Sequence, residues 1–501
     1  MTELTYRMRD AKLAIRRFLE PVRAAFTTRP DGSTWARATN TWQVARAYVE
    51  GLLRPGSHKT LRGIGKRMSI HEDRVRRFIT QSPWNHHALQ EHLNDNIPDS
   101  IALREAMLIF DDVDFRKKGT HSVGVSRQYA GSVGKVDNCQ VAVDLVSAVS
   151  GEARNADQVT WPLGMDLYLP RPWIEDESYA ELREEVGLPE DGDFRTKPEI
   201  TLELIERARS ANVPHACVGA DAGYGDDREL RSKLRAWNES YILGVTPSEL
   251  RVVPAETPIR PPGPTDGPGR PRTHPTYPEE VEAVSPREIA EDVEDWTEVT
   301  WTKGTKGPLS SRFHRQRVRV VSNTQQEWSA QCLNVSPPKT RSTGWADAVC
   351  SAVTVKGYAD HSRWVSEEEA WLLVEDREGE TKAWLCWGLD EWSLEELAAY
   401  AHVRWPIEQF HKDAKQVLGM DQFEGRTWSG WTHHVSVVLL TYSFLMTERA
   451  AQGAGARLPP FSQVARVVIH EMAVRTVEED GVDRETAERI AEAMLRGFTD
   501  W

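Results

Sequence analysis

The sequence predicts an α/β fold, preceded by a basic helical region and interrupted by a β-rich segment. Three observations carry this reading. Short apolar β-like runs alternate with helix-like stretches from Ile101 to about residue 248. Residues 1–90 hold 17 Lys and Arg against 7 Asp and Glu, a balance of +10 in a chain of net charge −14, so the rest carries −24. A proline-dense stretch over 253–287, then tryptophan-rich strand-like segments, separates the α/β runs from a last helical region.

Residues 1–100 read as helical and basic. Apolar residues recur at three- and four-residue spacing (Leu13, Phe18; Val44, Tyr48, Leu52), and Pro21 and Pro55 punctuate them. Thr60, Leu61 and Ile64 mark a short helix, and Ser69 with Glu72 reads as a capping box opening a second. The second helix buries Val75 and Phe78 and presents Arg74, Arg76 and Arg77, the arrangement a helix-turn-helix needs to dock on DNA.

The α/β region falls in two parts, 101–248 and 394–450. Met107–Phe110, Ala216–Ala220 and Ile242–Val245 read as strands, Val123–Tyr129 and Gln140–Val146 as a pair, and 201–211 as a helix. Between the two parts, 249–393 combines the proline loop with strand-like Glu298–Trp301, Arg317–Val321, Trp371–Glu375 and Lys382–Trp387. Gly269-Arg270-Pro271-Arg272 in that loop resembles a minor-groove hook. Residues 451–501 read as a helical end.

The composition, 40% hydrophobic and 28% charged, excludes a disordered or fibrous chain. The longest apolar run, Val435–Met446, is too short for a bilayer, so no membrane partner is expected. Five scattered cysteines with no Cys-x-x-Cys pair, and no secretory-type opening, argue for a cytoplasmic setting without disulfides or a cysteine zinc site.

Three acids stand where an acid is unfavourable without a purpose. Asp112 and Asp221 end the apolar runs Leu-Ile-Phe-Asp-Asp and Cys-Val-Gly-Ala-Asp, where a carboxylate must be paired, hydrogen-bonded or metal-bound. Glu408 opens a helix in which Glu408, His411, Lys412 and Lys415 share one face and Ile407, Phe410 and Ala414 the other. A carboxylate among cations suits an anionic substrate with a metal between.

These segments resemble the RNase-H-like DDE transposases of bacterial insertion sequences, in particular the insertion sequence 701 group. The motifs are Asp111-Asp-Val-Asp-Phe-Arg-Lys-Lys-Gly119, Gly134-Lys-Val-Asp-Asn-Cys-Gln-Val-Ala-Val143, Gly219-Ala-Asp-Ala-Gly-Tyr-Gly-Asp226 and the helix after Arg404, with Tyr400, Arg404, Glu408 and Lys415 matching the family's Y…R…E…K signature. The run Leu418–Arg426 with Trp428, Trp431, His433 and His434 fits as well. Asp112 matches the family's first catalytic Asp; because Val113 stands where the family has threonine, Asp111 and Asp114 stay open for that role. Tyr400 lies one residue further from Arg404 than the signature's spacing.

The resemblance implies an RNase-H-like mixed five-stranded sheet with flanking helices, and a β-rich insertion in the 187-residue gap between Asp221 and Glu408. It implies a catalytic triad Asp112, Asp221 and Glu408 holding two Mg²⁺ ions, for which Mn²⁺ would substitute, since oxygen-only ligands favour these over zinc. Arg404 and Lys415 are then candidates for DNA phosphates beside the cut, with Lys117 and Lys118 as secondary ones. The implied function is cut-and-paste DNA transposition on terminal inverted repeats and target DNA, by a homodimer in the DNA complex. The alternatives are an endonuclease of this fold without strand transfer and a transposase-derived DNA-binding regulator.

Overall fold

The computed structural model describes residues 10–56, 58–149, 159–189, 193–263, 274–302, 308–322, 363–451 and 458–496. The hook-like segment 269–272 lies outside them. The chain divides into two compact units, residues 1–217 with 403–501, and residues 218–402.

In the first unit six helices (Ala11–Leu19, Arg23–Thr27, Ala38–Leu52, Leu61–Arg67, Glu72–Thr80 and His86–Asp95) precede the sheet. Their core is aromatic: Phe26 lies 4.9 Å from Trp84, and Phe78 stacks on Trp84 at 5.7 Å. Burying each such ring contributes on the order of 2–3 kcal/mol. The cluster docks on the helix Trp428–Ala450, where Trp84 stacks on His433 at 3.9 Å, His433 Nδ1 donates to Ile79 O at 2.8 Å, and the Tyr48 hydroxyl meets His434 Nδ1 at 2.8 Å. Among the described residues no helix is long and apolar enough to cross a membrane.

The expected capping box at Ser69 and Glu72 does not form. Ser69 takes a left-handed conformation (φ 53°) that closes the preceding helix, with Ile70 N donating to Gly65 O at 2.9 Å. The second helix therefore starts two residues later than a Ser69 cap implies, with His71 accepting from Asp73 N.

The sheet of this unit is antiparallel. β1 (Met107–Arg116) and β3 (Lys135–Val149) run side by side, with Asp111 opposite Asp144; β2 (Ser126–Ala130) and β4 (Val159–Tyr168) pair with β3. The expected apolar strand Met107–Phe110 thus continues through its acids to Arg116, because every residue of that length finds a partner on β3. The helix Lys197–Ser210, opened by a capping box at Thr196 and Glu199, also belongs to this unit, as do Trp405–Leu418, Phe461–Glu479 and Arg484–Arg496.

In the second unit β5 (Cys217–Ala220), which begins where the chain leaves the first, runs parallel to β6 (Tyr241–Val245). The intervening helix Arg228–Ala236 supplies the crossover that parallel strands need. β11 (Glu380–Trp387) joins β6 antiparallel, followed by β10 (Trp364–Arg377), β9 (Pro308–Ser322) and β7 (Arg251–Pro254), with β8 (Thr297–Thr302) also on β9. All four strand-like segments expected in 249–393 lie within β8 to β11.

Candidate active site

Side chains alternate along a strand, so Asp111 and Asp112 reach opposite faces of the first unit's sheet. Asp111 Oδ2 accepts from Arg404 Nη1 at 3.0 Å and is largely buried. Asp112 Oδ2 accepts from Lys197 Nζ at 2.5 Å, from the helix on the other face. Asp114 is buried and committed to the backbone turn after β2: its two oxygens accept from Ser132 N at 2.9 Å and Ser132 Oγ at 2.7 Å.

Glu408 stands in the first turn of the helix Trp405–Leu418, where a carboxylate complements the exposed N–H groups. Pro406 in that turn sacrifices no hydrogen bond. The helix ends at Gly419, whose φ of 68° is the left-handed cap, and a Cβ there would lie 2.4 Å from that of Lys59. Ile407, Phe410 and Ala414 are buried, as the periodicity predicts.

Arg404 joins the two elements. Its Nη2 lies 2.7 Å from Glu408 Oε1 while Nη1 meets Asp111, so carboxylates nearly 300 residues apart share one guanidinium. One turn further along, His411 Nε2 lies 2.9 and 3.0 Å from the two oxygens of Asp144, which is buried directly opposite Asp111. Burial alone would depress His411, but the adjacent Asp144 carboxylate outweighs it and holds the imidazole above its ordinary pKa. Lys415 Nζ donates to Asp114 O at 2.9 Å and lies over the Phe115 ring.

Asp221, in the second unit, follows β5 and caps the short turn Ala222–Gly225 by accepting from Gly223 N at 3.0 Å. The glycines of this motif have a steric reason: a Cβ on Gly225 would meet Gly244 O at 1.7 Å, so the turn is pressed against β6. Asp227 caps the next helix by accepting from Leu230 N at 2.7 Å, and Asp226 accepts from Thr246.

The first unit thus brings Glu408, Arg404 and Lys415 to the Asp111 face of the sheet, with Asp112 on the other face. Arg74, Arg76 and Arg77 are exposed on their helix, Arg76 being paired with Asp73. Sequence reasoning missed Asp144, although an acid inside the apolar run Val-Ala-Val-Asp-Leu-Val carries the same warning as Asp112.

Acids delivered from a strand and from a helix onto one shared cation define an α/β protein organised around an acidic site. Residues 28–308 match the family described as DDE superfamily endonuclease, and the chain belongs to that family. It is also similar, at 31% identity over 190 residues, to the probable transposase for insertion sequence element IS701 of Microchaete diplosiphon. That similarity covers 37% of this chain and 44% of the relative, so the match spans less than half the relative's length. The family match includes Asp111, Asp112 and Asp221 and ends before Glu408.

Proposed function

We propose that the chain is a DNA transposase that binds the ends of its element, cuts them and joins them to target DNA, acting as a dimer in the DNA complex. Family membership supports phosphodiester chemistry, and the similarity to a probable insertion-sequence transposase supports transposition. The observation that carries the site is the guanidinium held jointly by Asp111 and Glu408, since both carboxylates converge on a space already fitted to a cation.

The donors on offer are carboxylate oxygens, the chemistry that hard divalent ions prefer. Among the described residues no three His, Cys, Asp or Glu side chains close around a single ion position. The ligands we propose are Glu408, Asp221 and, from the acids of β1, Asp111. Asp111 takes the role that the sequence reading gave to Asp112, because Asp112 is held on the other face by Lys197. When bound, Mg²⁺ or Mn²⁺ would lower the pKa of a nucleophilic water or 3′-hydroxyl and neutralise the leaving oxygen.

The chain's own residues do the rest. Arg404 holds the two carboxylates together and offers its cation to a phosphate, which competes with them for it. Lys415, further along the same helix and bonded to Asp114 O, is the second candidate for a phosphate. His411 and Asp144 anchor the Glu408 helix on β3 one turn away, so Glu408 is presented by a fixed element. The exposed Arg74, Arg76 and Arg77 supply phosphate contacts that position DNA.

A joining assay tests this reading. Duplexes carrying precut DNA from the flanks of the coding region, incubated with the chain, target plasmid and Mg²⁺, are expected to give joined products. Cleavage of uncut flanks without any joining would leave an endonuclease, and neither activity in Mg²⁺ or Mn²⁺ would refute the reading.

A further inference from the structure

Four large hydrophobic side chains are exposed among the described residues, and two of them face each other across one hairpin. Tyr129 on β2 is 64% exposed and pairs directly with Val136 on β3, which is 51% exposed. An aromatic ring and a β-branched side chain held side by side support the hairpin as a cross-strand pair and leave an exposed apolar contact surface.

The hairpin that carries them is fixed at its tip and along its strands. Asp114 holds the turn through Ser132 N and Oγ. Gln128 Nε2 donates to Cys139 O at 3.0 Å, and Gln140 Nε2 to Val123 O at 2.7 Å. Asn138 Nδ2 donates to the carbonyls of Lys117 and Gly119 at 2.7 and 2.9 Å. Ordering is thus complete before any partner arrives, which lowers the entropy lost on binding.

Charge identifies the partner. Residues 115–138 carry five Lys and Arg against one acid, Asp137, in a chain of net charge −14; Lys117 is spent on Phe423 O at 2.7 Å, whereas Lys118, Arg127 and Lys135 are exposed. Asp137 faces away from the Tyr129 pair and is tied to Arg116 at 3.1 Å. The pairing of Tyr129 with Val136 and of Arg127 with Asn138 puts Tyr129, Val136 and Arg127 on one face of the hairpin.

We propose that the Tyr129–Val136 pair, flanked by Arg127, is a DNA contact of the wedge type, its ring lodged against the bases of a duplex. The inference rests on the reading of the chain as a DNA-cutting transposase and adds an element that positions the duplex. An apolar side chain wedged at a base step unstacks it, and neighbouring arginines hold the backbone on either side.

The probe is a mixed-sequence duplex of about four helical turns carrying 2-aminopurine, titrated with the full chain at low salt. Tyr129→Ser is expected to weaken binding roughly tenfold and to abolish the rise in 2-aminopurine fluorescence; Tyr129→Phe is expected to keep both. Thermal unfolding of both variants should match the wild type, because the side chain is exposed. With p-benzoylphenylalanine at position 129, irradiation should join the chain to DNA. Unchanged affinity and fluorescence in Tyr129→Ser overturn the contact, as does crosslinking to a second copy of the chain, which would make the hairpin a protein interface. Wild-type chain that cuts DNA while Tyr129→Ser binds normally refutes only the wedge; wild-type chain that binds no duplex refutes the transposase reading with it.

Discussion

Asp111 and Asp112 are neighbours in the chain that serve opposite faces of one sheet: the first accepts from Arg404 at 3.0 Å, the second from Lys197 at 2.5 Å. This separation decides which substitution should matter. Asp111→Asn is expected to reduce metal-dependent cleavage at least a thousandfold, about 4 kcal/mol in the barrier. Asp112→Asn loses one partly exposed ion pair and should lower the rate less than tenfold. Single-turnover cleavage at saturating DNA measures both, and the reverse ranking would return the role to Asp112.

Arg404 neutralises two carboxylates that a divalent ion would also claim. Arg404→Ala should therefore tighten Mn²⁺ binding, read by electron paramagnetic resonance without DNA, while slowing cleavage roughly ten- to a hundredfold through the lost phosphate contact. Weaker Mn²⁺ binding would show that the guanidinium assists the ion rather than competing with it.

The His411–Asp144 pair is buried, so removing one partner strands the other. Asp144→Ala is expected to destabilise the chain by about 3–5 kcal/mol, and a double-mutant cycle with His411→Ala should recover a large part of that. Additive effects in denaturant unfolding would remove the pair as the anchor of the Glu408 helix.

Acid should loosen the docking of the N-terminal helices. Burial lowers His433 and His434 to about 4 and His86 to about 2, against an ordinary histidine value near 6.5. The unfolded chain then binds more protons than the folded one between about pH 4 and 6.5, so stability rises with pH across that window and is lost on acidification. Melting temperature should fall steadily from pH 7 to 5; His434→Gln, which can still accept from Tyr48, should flatten part of that fall.

The basic region should act through phosphates. Replacing Arg74, Arg76 and Arg77 together by Ala is expected to weaken duplex binding and reduce the slope of log affinity against log salt by up to about three. An unchanged slope would leave these arginines as a solvated helix face.

Much of this was legible in the sequence. Apolar runs marked β1, β5 and β6, and the spacing of Ile407, Phe410 and Ala414 gave the buried side of the Glu408 helix. Which face each of Asp111 and Asp112 meets was not legible, because two adjacent acids at a strand end look alike until the cross-strand register is known. β4 was unforeseen because its start adjoins a polar stretch and Pro162 and Gly164 interrupt its pattern. Ser69 misled because a serine before a glutamate reads as a cap, whereas here its backbone closes the previous helix.

Counting bound Mn²⁺ at equilibrium in the wild-type chain and in Asp111→Asn, Asp221→Asn and Glu408→Gln, all with a DNA end present, tests the central claim most directly. Each variant is expected to lose at least one ion and its cleavage while still retaining the duplex. Full Mn²⁺ occupancy together with wild-type cleavage in any of the three would contradict the assignment of that carboxylate to the metal site.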